Sequence, residues 1–152
     1  MKILDVLPKE NINVDLKARD KKGILEELAE PVAKSSGTGQ DELVKVLMER
    51  ERLGSTGIGG GIGIPHGKLK QLPSLVLGFG ISRKGVDFES MDGRPTHLFF
   101  LLLTPESSAG MHLKLLARIS RMLKNEEFKS RLMRATDSEA VIDAIREEDE
   151  EF

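Results

Sequence analysis

Apolar residues recur at helical spacing towards both ends of the chain and at strand spacing between them. Near the N-terminus Ile24, Leu25, Leu28 and Val32 share one face of a 3.6-residue repeat, with Asp20 placed to cap it. Pro31 falls inside that pattern and predicts a kink or an end, because proline has no N–H for the helix ladder. Ser35-Ser36-Gly37 reads as the break. A second helix is expected from Thr38, with Asp41 three residues on as a capping-box variant. Its apolar stripe is Leu43, Val44, Leu47 and Met48, and Glu49 to Arg52 form its polar end.

The period then changes. Leu75, Leu77, Phe79 and Ile81 alternate with Val76, Gly78 and Gly80, as one face of a strand does. Val86 to Phe88 reads as a short strand and Met91 to Pro95 as a turn. His97 to Leu103 is apolar almost without interruption, which predicts a central strand buried on both faces. From Met111 the helical period returns, with Leu115, Leu116, Ile119, Met122 and Leu123 facing a core and His112 extending that stripe by one turn. Two further helices are expected, capped by Asn125 and by Thr136 with Glu139; the last carries Val141, Ala144 and Ile145. The pattern predicts a single α/β (α+β) domain over residues 1–152, a β-sheet flanked by helices.

Composition narrows the function classes. With six Phe and no Trp or Tyr, the core is aliphatic and there is no aromatic platform for single-stranded nucleic acid. The net charge of −2 supplies no basic field for a polyanion, so a nucleic-acid partner is not expected. Absence of cysteine removes disulfides, thiolate metal sites and thiol nucleophiles together. No apolar run reaches membrane-spanning length, so neither membrane insertion nor export is expected and the chain reads as cytoplasmic. The acidic run from Glu147 onwards reads as a frayed, solvated tail over about 147–152.

The candidate chemistry lies in the glycine-rich segment, where six of the ten residues 54–63 are glycine. It is not a nucleotide loop. A dinucleotide fingerprint fails because Ile62 and Ile64 stand where its last glycine belongs, and Gly67-Lys68 is followed by Leu69 rather than Ser or Thr. The segment ends in Pro65-His66-Gly67, with proline stiffening the approach and glycine expected to leave one side of the ring open to a partner. A neutral imidazole nitrogen can attack phosphorus if the other ring nitrogen is held in one tautomer. The residues alone leave two readings open, an incidental loop histidine and a nucleophile. His112, near a helix N-terminus, has the same two readings: a core histidine or a donor to phosphoryl oxygens. Arg50 or Arg52 could screen phosphoryl charge, and Ser55 and Thr56 are turn residues or hydroxyl donors to the same group. His97 reads as structural, and the three histidines match no local metal-ligand spacing.

The stretch Glu51-Arg-Leu-Gly-Ser-Thr-Gly-Ile-Gly-Gly-Gly-Ile-Gly-Ile-Pro-His-Gly67 resembles the signature of the phosphotransferase-system enzyme IIA domains of the fructose/mannitol class, nearest their nitrogen-regulatory branch. The resemblance extends through Leu7-x-x-Glu10-x-Ile12, the run Phe99 to Pro105 and His112-Leu-x-x-Leu116. It implies a central mixed β-sheet flanked by helices and a phosphoryl group accepted by His66 from the phosphohistidine of HPr or its nitrogen-branch paralogue. It implies His112 as a second active-site histidine and Arg50 as the active-site arginine, with Arg52 as the fallback and Thr56 in support. No cofactor or metal is implied. The phosphorylated protein would either bind regulatory targets or pass the group to a cysteine of an enzyme IIB. The partner interface is expected to be a shallow apolar surface around Gly61–Gly67. The chain departs from the nitrogen-regulatory pattern at Gly60, where many members carry histidine.

Overall fold

A computed structural model describes residues 1–150, and its centre is the strand the apolar run predicts. Six strands, β1 (Ile12–Asn13), β2 (Gly57–Gly59), β3 (Ile62–Gly63), β4 (His66–Leu69), β5 (Val76–Val86) and β6 (Thr96–Pro105), form one mixed sheet. β5 lies antiparallel to β6 on one side and β3 and β4 lie parallel to it on the other, with β1 and β2 at the edges. Leu98, Phe100 and Leu102 of β6 enter one core and Phe99, Leu101 and Leu103 the other. Alternation across the pleat thus serves two apolar layers at once.

Helices α1 (Lys21–Ser36) and α2 (Gln40–Arg52) cover the second face; α3 (Ala109–Met122), α4 (Glu126–Arg134) and α5 (Ser138–Glu150) cover the first. Asp20 caps α1 through the Gly23 N–H, and Gly37, in the left-handed region at φ 76°, ends it. Pro31 neither ends nor divides α1, because the helix buries Leu28, Ala29 and Val32 on both sides of it and that packing outweighs one lost backbone bond.

Several expected boundaries move. α2 starts at Gln40 after Gly39, so Thr38 and Asp41 form no capping box. The cap of α5 is Asp137 rather than Thr136: its carboxylate accepts the Ala140 N–H at 2.8 Å. Asn125 caps α4 as expected. The strand read at Leu75–Ile81 runs on as β5 to Val86, with its register against β6 shifted between Ile81 and Val86. The separate short strand expected at Val86–Phe88 does not form, since Asp87 and Phe88 lie beyond the end of β5.

The acidic run is not a frayed tail within the described residues. Glu147 to Glu150 continue α5, and Asp149 is buried, accepting the Ile3 N–H at 2.7 Å and pairing with Arg118 Nε at 2.5 Å. It ties the N-terminus, α3 and α5 together. Glu151 and Phe152, the rest of the expected tail, lie outside the described residues.

Gly67 does not open the ring to solvent. It is buried under α2, where a Cβ would stand 2.7 Å from Val46 Cγ1. A branched side chain fixed on a helix cannot swing aside, so Gly67→Ala should destabilise the protein by about 1–3 kcal/mol in urea unfolding. Gly110→Ala, which meets nothing within 4 Å, should be neutral or stabilising in the same measurement.

Candidate active site

The glycine-rich segment is sheet edge, not loop. β2 turns into β3 through Gly59, Gly60 and Gly61, at φ 96°, 66° and 80°, a succession that β-carbons would strain. β3 pairs with β6 at Ile62–Leu98 and Gly63–Phe99, and β4 resumes on the same edge with His66 opposite Leu102. Between them the ladder is interrupted. The Ile64 N–H bonds to the Thr56 carbonyl, and Pro65 has no N–H to offer.

The Ile64 carbonyl is 2.7 Å from Nδ1 of His66. A carbonyl only accepts, so Nδ1 carries the hydrogen and Nε2 presents its lone pair. His66 is half-buried, and its pKa is lowered mainly by desolvation, with the charges of Arg50 and Lys68 acting in the same direction against the Ile64 bond and Glu51. The ring is therefore neutral at pH 7.

β6 runs through Thr104 and Pro105 into a short 3-10 turn and then α3, which brings His112 back over the sheet edge. The two imidazoles meet edge to face, centroids 5.4 Å apart. His112 is buried, its Nδ1 lies 2.7 Å from Thr104 Oγ1, and burial together with His66 and Lys68 pushes its pKa down to about 4. Arg50 donates to the Gly54 carbonyl at 2.9 Å, which holds its guanidinium at the end of α2 where its charge is felt at His66.

Of the remaining expected residues, Arg52 faces the groove between α1 and α2 beside Lys22, Glu26 and Asp41, away from this cluster. Ser55 Oγ donates to the Phe88 carbonyl and accepts the Gly57 N–H, a turn role. The Thr56 hydroxyl is buried against Glu51. Ile62, Gly63, Ile64, Pro65 and Gly67 are buried, so the stretch Gly61–Gly67 is not a shallow surface. The exposed apolar side chains instead include Leu53, just past the end of α2, and Leu113, next to His112. His97 is structural, donating through Nδ1 to the Ser82 carbonyl.

The profile of the family described as phosphoenolpyruvate-dependent sugar phosphotransferase system, EIIA 2, matches residues 5–148. The chain belongs to that family. It is 41% identical to a nitrogen regulatory protein of Bradyrhizobium diazoefficiens over 145 residues, 95% of each chain. It is 35% identical to the fructose-specific EIIABC component of Bacillus subtilis over 98% of this chain and 24% of that protein. The crystal structure of nitrogen regulatory protein IIA-Ntr from Neisseria meningitidis superposes with a TM-score of 0.88 at 31% identity, covering 93% of this chain and 97% of that one. The mixed α/β architecture is thus that of EIIA 2 proteins, which are phosphoryl carriers.

Three residues of this EIIA 2 site escape a sequence reading. Lys68 lies two residues from His66 in one strand, and that i, i+2 spacing places it on the same face once β4 is known. Thr104 is hidden at the end of an apolar run. Glu51 resembles one more charge at a polar helix end. The buried, neutral His112 also has a measurable consequence. Its folded pKa lies below its unfolded 6.5, so its contribution to stability is complete above pH 6.5 and is lost as pH falls towards about 4. Between pH 7 and pH 5 the loss should be about 2 kcal/mol by urea unfolding, and His112→Gln should flatten much of that slope.

Proposed function

We propose that His66 accepts a phosphoryl group on Nε2 from the phosphohistidine of HPr or its nitrogen-branch paralogue. The observation that carries this reading is the Ile64 carbonyl on Nδ1, which leaves Nε2 as the free lone pair beside His112. In the transfer the Nε2–P bond forms as the donor's N–P bond breaks, and the leaving imidazole keeps the electron pair. The proton on Nδ1 stays in place, with the Ile64 carbonyl stabilising the positive charge that the ring acquires. No net proton changes hands, so the protein supplies position and charge rather than acid–base chemistry.

Arg50 and Lys68 meet the transferred oxygens electrostatically. When the Thr104 hydroxyl donates to Nδ1 of His112, Nε2 of that ring carries the hydrogen and donates to a phosphoryl oxygen. Exposed Leu53 and Leu113 give a donor protein apolar purchase next to this cluster.

The phosphorylated protein acts in the cytoplasm as a nitrogen or metabolic regulator, a role supported by the nitrogen regulatory relative that matches end to end at 41% identity. A second reading, transfer to a cysteine of an enzyme IIB for sugar uptake, is favoured by the 35% identity to the fructose-specific component.

Incubation with phosphoenolpyruvate, enzyme I and HPr, followed by mass spectrometry, tests the site. The protein should gain one acid-labile phosphoryl group and His66→Ala none; uptake by His66→Ala would refute the assignment. His112→Ala should retain phosphorylation at a rate lower by roughly ten- to a hundredfold, the scale set by removing one transition-state donor. Because the His66 pKa is lowered, the midpoint of the fall in uptake rate on acidification should lie below the ordinary imidazole value of 6.5, and a midpoint above it would contradict the neutral ring.

A further inference from the structure

We propose that Glu51 is a positioning residue that sets the tautomer and aim of His66 through Thr56 and the backbone of Ile64. Glu51 is one of the few buried carboxylates, with its side chain 3% exposed. It accepts Lys21 Nζ at 2.9 Å, the Thr56 N–H at 3.1 Å and the Thr56 hydroxyl. Lys21 is itself held over the Phe88 ring, 4.8 Å from its centroid, so the carboxylate is fixed from the side of α1. From Thr56 the hydrogen bonds continue without a gap. The Thr56 carbonyl accepts the Ile64 N–H at 3.0 Å, and the Ile64 carbonyl accepts His66 Nδ1 at 2.7 Å.

Each link has one direction. Ile64 lies between the pairings of β3 and β4: its N–H goes to Thr56, and the first carbonyl to rejoin β6 is that of Pro65, which accepts the Leu102 N–H at 3.0 Å. Thr56 anchors the amide side of Ile64, and Glu51 grips Thr56 at both its N–H and its hydroxyl. A buried carboxylate with all its partners met is worth more as a fixed point than an exposed one, because moving it leaves Lys21 with only the exposed carboxylate of Glu89. Losing the grip at Thr56 lets the Ile64 backbone shift about its φ and ψ, which draws its carbonyl away from Nδ1, and the ring can then populate the tautomer whose Nε2 is protonated and cannot attack. Glu51 never touches the phosphoryl group in this scheme.

The inference rests on His66 as the acceptor, but its test does not need phosphorylation to succeed. Imidazole 15N spectra report the His66 tautomer in the unphosphorylated protein, and steady-state uptake from phospho-HPr reports the rate. Thr56→Val and Glu51→Gln should raise the fraction of the Nε2–H tautomer. They should also lower the maximal uptake rate by roughly ten- to a hundredfold, the scale of a displaced reacting group, with the half-saturating donor concentration unchanged. Thr56→Ser, which keeps the hydroxyl, should restore both. A variant that melts earlier yet keeps the wild-type tautomer and rate makes Glu51 a stability residue and overturns the proposal. Should Glu51→Gln fail to fold, the Thr56→Val and Thr56→Ser pair decides alone. Wild-type protein that shows the Nδ1–H tautomer but takes up no phosphoryl group would instead count against the proposed function.

Discussion

The edge of β6 that receives β3 and β4 is the constraint on which the site depends. Two short parallel strands share that edge, and between them the ladder is broken at Ile64, whose N–H bonds to Thr56, while Pro65 offers no donor and rejoins β6 only through its carbonyl. A carbonyl left outside a ladder must find a partner, since an unpaired buried carbonyl costs roughly 1–3 kcal/mol. Here the partner is the imidazole of His66. The fold therefore meets a backbone requirement and selects a tautomer with the same hydrogen bond. β6 can hold this edge still because both of its faces are packed, by α1 and α2 on one side and α3 to α5 on the other.

The electrostatics follow from the same placement. His66 and His112 approach to 5.4 Å between centroids in a partly dry environment beside Arg50 and Lys68, so protonating either ring is opposed. Desolvation does most to keep the rings neutral, and the positive charges that add to it would favour an incoming dianionic phosphoryl group in the proposed transfer. One arrangement keeps both rings neutral and suits the proposed transfer, and its cost appears as reduced stability in mild acid.

Much of this is legible in the chain. The run from His97 to Leu103 declares a doubly buried strand, the α3 stripe carries His112 to the interior, and the signature around His66 points to the family. What escapes is short or masked by composition. β2, β3 and β4 have two to four residues each and are rich in glycine, too little for any period to register. Lys68 joins the site only once β4 is a strand. Glu51 and Asp149 sit among other charges and are told apart from them only by burial, which depends on helices packing far along the chain. Gly67 looks like an opening for a partner and is instead a contact with α2.

The central claim is that Nε2 of His66, freed by the Ile64 carbonyl, is the atom that bonds to phosphorus. Phosphorylating protein labelled with 15N in its histidines and recording 15N–31P couplings tests it directly. A one-bond coupling to Nε2 of His66, with Nδ1 still protonated, is the predicted result. A coupling to Nδ1, or to either nitrogen of His112, would contradict the account.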